Sequence, residues 1–190
     1  MTDISPAPKG TPLVVACMKG NLADVKKFIN AAPVAGRNVL LNELGTDRYD
    51  IQYTPLMAAA RSEYFKIVEY LIIGGASTAT TTNDGWNALH MAAANNNTTT
   101  AIVELLLNKM TLKDINHISI NGRTPLDACY AYNNGVTMKQ AIIKLIRQKG
   151  GKRAIKKIID FTNKANSINE VKSFLGKLTI RNNRIDVIKF

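Results

Sequence analysis

At 190 residues the chain is the size of one domain or a small repeat array, and a 46% apolar content excludes wholesale disorder. No apolar run approaches the ~18 residues of a membrane span, since the longest, around Ile67 to Ile73, is broken by Glu69 and ended by Gly74-Gly75. Lysine and arginine exceed aspartate and glutamate by eleven, which raises the question of an anionic partner. At the N-terminus, MTDISPAPKG has neither a basic start nor an apolar stretch, so no secretory signal is expected there. Two cysteines cannot build a disulfide framework, and reduced thiols fit an intracellular, cytoplasmic protein.

From residue 10 onward the chain repeats itself. Thr11-Pro-Leu13, Thr54-Pro-Leu56, Asn87-Ala-Leu89 and Thr124-Pro-Leu126 recur at spacings of 43, 33 and 37 residues. Small residues follow each in turn: Ala16-Cys17, Ala59-Ala60, Ala92-Ala93 and Ala128-Cys129. A second apolar patch then closes each unit, around Val25 to Ile29, Ile67 to Leu71, Ile102 to Leu106 and Ile142 to Ile146. The units run over approximately 10–52, 53–82, 83–120 and 121–151. The first carries about ten extra residues between Asn30 and Gln52, read as a long loop or a lengthened hairpin. The third and fourth carry polar insertions at Asn95 to Thr100 and Asn133 to Met138.

Physical chemistry gives each conserved slot a task. Thr or Asn caps a helix whose first position tolerates Pro, because that position needs no N–H. The Ala-Ala or Ala-Cys pair lets neighbouring helices approach closely. In the second patch, apolar residues at i, i+1, i+4 and i+5 form one helical face, and Gly74-Gly75 or Gly150-Gly151 supplies a helix stop. A unit of two short helices cannot bury its own apolar faces, so the units must stack.

The run from Tyr53 to Thr82, with Asn83-Asp-Gly-Trp-Asn-Ala-Leu-His90, resembles the ankyrin-repeat family, and the resemblance covers roughly residues 8–151. It implies an all-α solenoid: four clear helix-turn-helix repeats joined by short β-hairpin loops. One family feature is missing. The glycine usual before the second helix is replaced after Ser62 by Glu63-Tyr64, which leaves that turn open. A fifth, degenerate capping repeat is expected over 152–178, because Ser167 to Leu175 matches Asn21 to Ile29 position by position and Ser167 with Glu170 forms a capping box. For the tail, 179–190, two readings stand: a pair of short strands joined at Asn182-Asn183, or a frayed end.

Catalytic chemistry is largely missing from the residues. By the resemblance, His90 hydrogen-bonds the neighbouring hairpin, and His117 is expected to be an exposed loop residue. Cys17 and Cys129 fall in equivalent slots three repeats apart, about 25–30 Å at the usual helix spacing, which excludes a disulfide or a shared metal between them. Gly150-Gly-Lys-Arg153 lacks the glycine spacing and the Ser or Thr of a phosphate loop. No enzyme, cofactor or metal is expected.

Function is therefore sought on a surface. By the resemblance, hairpin tips and the inner faces of the first helices form a concave side that binds a partner protein. The tip residues are Asp50, Ile51, Tyr53, Asn83, Asp84, Trp86, Asn121 and Arg123, and the helix positions are Met18, Lys19, Arg61, Ser62, Ala94, Asn95, Ala131 and Tyr132. Tyr, Trp and Arg dominate interface energetics, although Trp86 and Tyr132 also have a reading as packing inside the stack. The alternative is an anion-binding module, in which Arg147, Lys149, Lys152, Arg153, Lys156 and Lys157, within a basic region 147–184, dock nucleic acid or an acidic membrane surface. Against it, no aromatic residue is interleaved with those bases, and a solvated helix face explains them equally well. A monomer is expected.

Overall fold

The computed structural model describes residues 10–46, 51–132, 137–154, 178–181 and 184–187. Among them four helix pairs follow one another. They are α1 (Pro12–Lys19) with α2 (Leu22–Ala31), α4 (Pro55–Arg61) with α5 (Phe65–Ile73), α6 (Ala88–Ala94) with α7 (Thr100–Lys109), and α9 (Pro125–Ala131) with α10 (Thr137–Gln148). Two further helices, α3 (Val34–Asn42) and the single turn α8 (Leu112–Ile115), lie in the connections.

Each first helix starts on a side-chain cap. Thr11, Thr54 and Thr124 accept from the amides of Val14, Met57 and Asp127, and Asn87 accepts from that of His90. The first helices then pack side by side in the order α1, α4, α6, α9, and the second helices in the order α2, α5, α7, α10. Ala58, Ala59, Ala60, Ala92, Ala93, Ala128 and Cys129 are buried in the inner layer, where the absence of larger side chains sets the repeat spacing. Val25, Ile29, Ile67, Leu71, Ile102, Leu106, Ile142 and Ile146 fill the space between the layers.

Three connections differ from the sequence reading. Of the two readings of the stretch between Asn30 and Gln52, the hairpin is found, since the strand β1 (Gly45–Thr46) pairs antiparallel with β2 (Gln52–Tyr53), but α3 before it was not expected. The turn that lacks its glycine is kept. Glu63 takes φ 67°, the left-handed conformation that Gly20 adopts with φ 73° at the matching point of the first pair. In the fourth unit, α10 begins at Thr137, so the end of the polar insertion is helical.

At the C-terminus, β3 (Leu178–Arg181) pairs antiparallel with β4 (Arg184–Val187), with Arg181 opposite Arg184, which favours the two-strand reading of the tail over a frayed end. The expected fifth helical pair falls on 152–178, most of which lies outside the described residues, Phe174 included. No helix among the described residues is long and apolar enough to cross a membrane.

Candidate partner-binding cleft

Two hairpin loops of the same design build the concave edge. In the first, the Thr82 amide donates to the Trp86 carbonyl at 2.9 Å and the Gly85 amide closes on Thr82; in the second, Ser119 donates to Arg123 at 2.9 Å and Gly122 closes on Ser119. Gly85 and Gly122 both have positive φ, 75° and 72°. The Ile120 amide donates to the Asp84 carbonyl at 3.0 Å and ties one tip to the next. Trp86 and Arg123 thus occupy the same position in successive loops, each immediately before a helix cap. Tyr53 precedes the cap Thr54 in the same way.

His90 locks this edge to the stack. Its Nδ1 accepts from the Asn87 amide, so Nε2 carries the hydrogen and donates to the Arg123 carbonyl at 3.0 Å. Burial holds the imidazole at about 4, well below its usual 6.5; His117 adds to the depression, while the Arg123 bond and Asp127 oppose it. His117 is half-buried with its ring edge-on to His90 at 6.2 Å, rather than an exposed loop residue.

Between the hairpins and the first helices lies a cleft of about 760 Å³. Ten of the sixteen residues expected on the partner-binding side line it: Ile51, Tyr53, Arg61, Asp84, Trp86, Ala94, Asn95, Asn121, Arg123 and Tyr132. Met18, Lys19, Ser62, Asn83 and Ala131 lie outside it: Met18 packs half-buried on the core, Lys19, Asn83 and Ala131 are exposed, and Ser62 ends α4. Asp50 is outside the described residues. Trp86 is half-buried, tilted over His90 at 5.4 Å and edge-on to Tyr132 at 6.2 Å, so it is packed within the stack and presented to the cleft at once. Tyr53 is almost completely buried, with the Arg61 guanidinium 5.2 Å above its ring.

The sequence reading missed part of the wall. Asn96 and Asn97, treated only as loop extension, line the cleft together with Thr82 and Met91. It also missed the residue that holds that wall. Lys139 of α10 is fully buried, and its Nζ donates to the carbonyls of Ala93 and, at 2.6 Å, Asn95, at the C-terminal end of α6. Burial pulls its pKa below the usual lysine value, with Cys129 and Glu63 opposing the shift. Asn95 in turn donates from Nδ2 to the Arg61 carbonyl at 2.5 Å and accepts from the Asn97 amide at 3.0 Å. A polar chain therefore links the fourth unit to the second beneath the cleft. The signal for Lys139 was its position: it shares a helical face with Ile142, Ile143 and Ile146.

The basic region is differently placed. Arg147 donates to the Tyr130 hydroxyl at 2.7 Å, and Arg153 pairs with Asp127 at 2.8 Å while its guanidinium lies 4.8 Å from the same Tyr130 ring. Lys149 reaches Asn108 Oδ1 at 2.9 Å, and the Lys152 amide donates to Asn116 at 2.7 Å. Lys156 and Lys157 are outside the described residues. Cys17 and Cys129 are buried free thiols, pushed up by burial to about 12 and about 11, and no cluster of metal-ligating side chains occurs among the described residues.

A family model described as ankyrin repeats (three copies) matches residues 2–81 and 56–154. Among curated proteins, the chain is similar to the palmitoyltransferase AKR1 of Lachancea kluyveri, 30% identical over 139 residues, a match covering 59% of this chain and 19% of that protein. The chain thus spans about a fifth of the length of that relative.

Proposed function

The chain belongs to the ankyrin-repeat family, and from that premise we propose that it is a non-catalytic recognition module that grips a segment of a partner protein in the cleft between its hairpins and first helices. One observation carries this reading: residues chosen from four repeats for their concave position converge on a single cleft rich in Trp, Tyr and Arg, the types that dominate interface energetics. The similarity to a palmitoyltransferase does not redirect it. Acyl transfer through cysteine needs an accessible thiolate, and the chain's two cysteines are buried with raised pKa values. Three of the six basic residues of the alternative reading, Arg147, Lys149 and Arg153, are taken up in contacts to Tyr130, Asn108 and Asp127, which supports a structural task for those three.

The test is capture of partners by the full chain and two variants. Trp86→Ala with Arg123→Ala is expected to weaken capture by about 2–4 kcal/mol, with a smaller loss of stability from the broken ring contacts. Replacing Lys152, Arg153, Lys156 and Lys157 by Gln is expected to leave capture unchanged. The inverted pattern, with loss of nucleic-acid or acidic-vesicle binding in the Gln variant and a salt slope flattened by up to ~4, would favour the anion reading.

A further inference from the structure

Arg123, which lines the cleft, differs from Arg147 and Arg153 outside it. Arg153 has Asp127 at 2.8 Å, and Arg147 has the Tyr130 hydroxyl at 2.7 Å. Arg123 is half-buried, and no carboxylate lies within ion-pair distance of it among the described residues. Its guanidinium makes one long bond, 3.5 Å to the Tyr132 hydroxyl, and stands 5.9 Å from that ring. The backbone beneath it is fixed from three directions, by the Ser119 amide, the Ser119 hydroxyl and His90 Nε2. A guanidinium held on a fixed backbone, against an aromatic ring and with its donors largely unused, is preorganised for a carboxylate, whose two oxygens match its fork.

A second lining residue restricts the ligand further. The Asp84 carboxylate opposes an unbroken run of negative charge, so a nucleic-acid strand fits poorly where a single acid among neutral residues fits well.

We infer that the occupant of the cleft is an extended peptide segment of the partner that carries an aspartate or glutamate side chain anchored on Arg123. This inference rests on the cleft being the recognition surface, and the experiment separates the two claims. Short linear peptides displayed on phage are selected against the full chain, and the enriched peptides are synthesised and titrated in solution. Trp86, the chain's single tryptophan, reports occupancy of the cleft by its fluorescence.

The expected result is an acidic residue at a fixed place in the enriched peptides. Replacing it by the matching amide should weaken binding about tenfold or more, as for loss of a charge-assisted bond. In Arg123→Gln the acid and amide peptides should bind alike, whereas Arg153→Gln should keep the full discrimination. If acid and amide peptides perturb Trp86 with equal affinity in the parent, or if Arg123→Gln keeps the discrimination, the anchor is wrong and the cleft reading survives. If no selected peptide perturbs Trp86, or a single-stranded oligonucleotide displaces those that do, the cleft reading falls and the anchor with it.

Discussion

His90 shows how a single side chain joins fold to function. Its imidazole closes the cap of α6 through Asn87 and reaches across one repeat to the Arg123 carbonyl, so the same ring starts a helix and sets the cleft's arginine. That arrangement needs the neutral form, and its sign with pH follows. Above 6.5 the folded and unfolded states are both neutral and the full stability is present; as the pH falls the unfolded chain takes up the proton first, and stability is lost down to about 4, by up to about 3 kcal/mol. Urea midpoints measured from pH 7 to pH 4 should therefore drop more steeply in the parent than in His90→Gln. Parallel curves would show that His90 does not carry the dependence. The resemblance of Asn87-Ala-Leu-His90 to the family's repeats made this residue legible in the sequence. Glu63 was legible only as a missing glycine. Nothing in a glutamate announces φ 67°, because the surrounding helices impose it against the residue's own preference.

At the scale of elements, α6 is held at both ends by neighbours: at its start Asn87 Nδ2 donates to the Asp114 carbonyl, and at its end Lys139 supplies the donors for Ala93 and Asn95. A helix C-terminus leaves carbonyls unpaired, and the buried Lys139 Nζ supplies donors to two of them. Lys139→Met, which keeps the volume and the apolar stem, should cost about 1–3 kcal/mol, the penalty for stranding buried carbonyls. It should also speed amide exchange at Asn95 to Asn97, the wall of the cleft, more than in α1 or α2. Uniform exchange across the chain would argue against a local clamp. The missed helix α3 has the opposite origin. Val34 and Val39 are 80% and 72% exposed and only Leu41 is buried, so α3 covers little apolar surface and leaves no periodic stripe to read. Helices that bury a face were visible as patterns; one that does not was not.

In the whole molecule, the two layers of described helices behave as a one-dimensional stack in which the main contacts of each helix pair are with its neighbours. The spacing of the Thr-Pro-Leu and Ala-Ala slots was enough to predict that stack, because burial at each slot leaves few alternatives. The cleft was legible only to the extent that it inherits positions from the repeat. Tyr53, Trp86 and Arg123 follow from their place before a cap, whereas Asn96 and Asn97 come from a polar insertion that the first two units lack. The stack makes a further quantity testable. Ala59 of α4 is fully buried, and α4 packs against both α1 and α6, so Ala59→Leu must push an inner helix away from its neighbours. The overpacking should cost about 1–3 kcal/mol. In a nearest-neighbour stack the damage should concentrate at α1, α4 and α6, leaving exchange in the distant α9 and α10 near its parental rate. The cleft runs from the end of the first unit to the fourth, so the shift should also displace Tyr53 and Arg61 relative to Trp86 and Arg123 and weaken peptides that bridge them. The control is Ile73→Ser, at a side chain 80% exposed on α5, which should change neither stability nor binding. If Ala59→Leu loosened α10 as much as α1, the units would be folding as one cooperative block, and the cleft could not be tuned one repeat at a time.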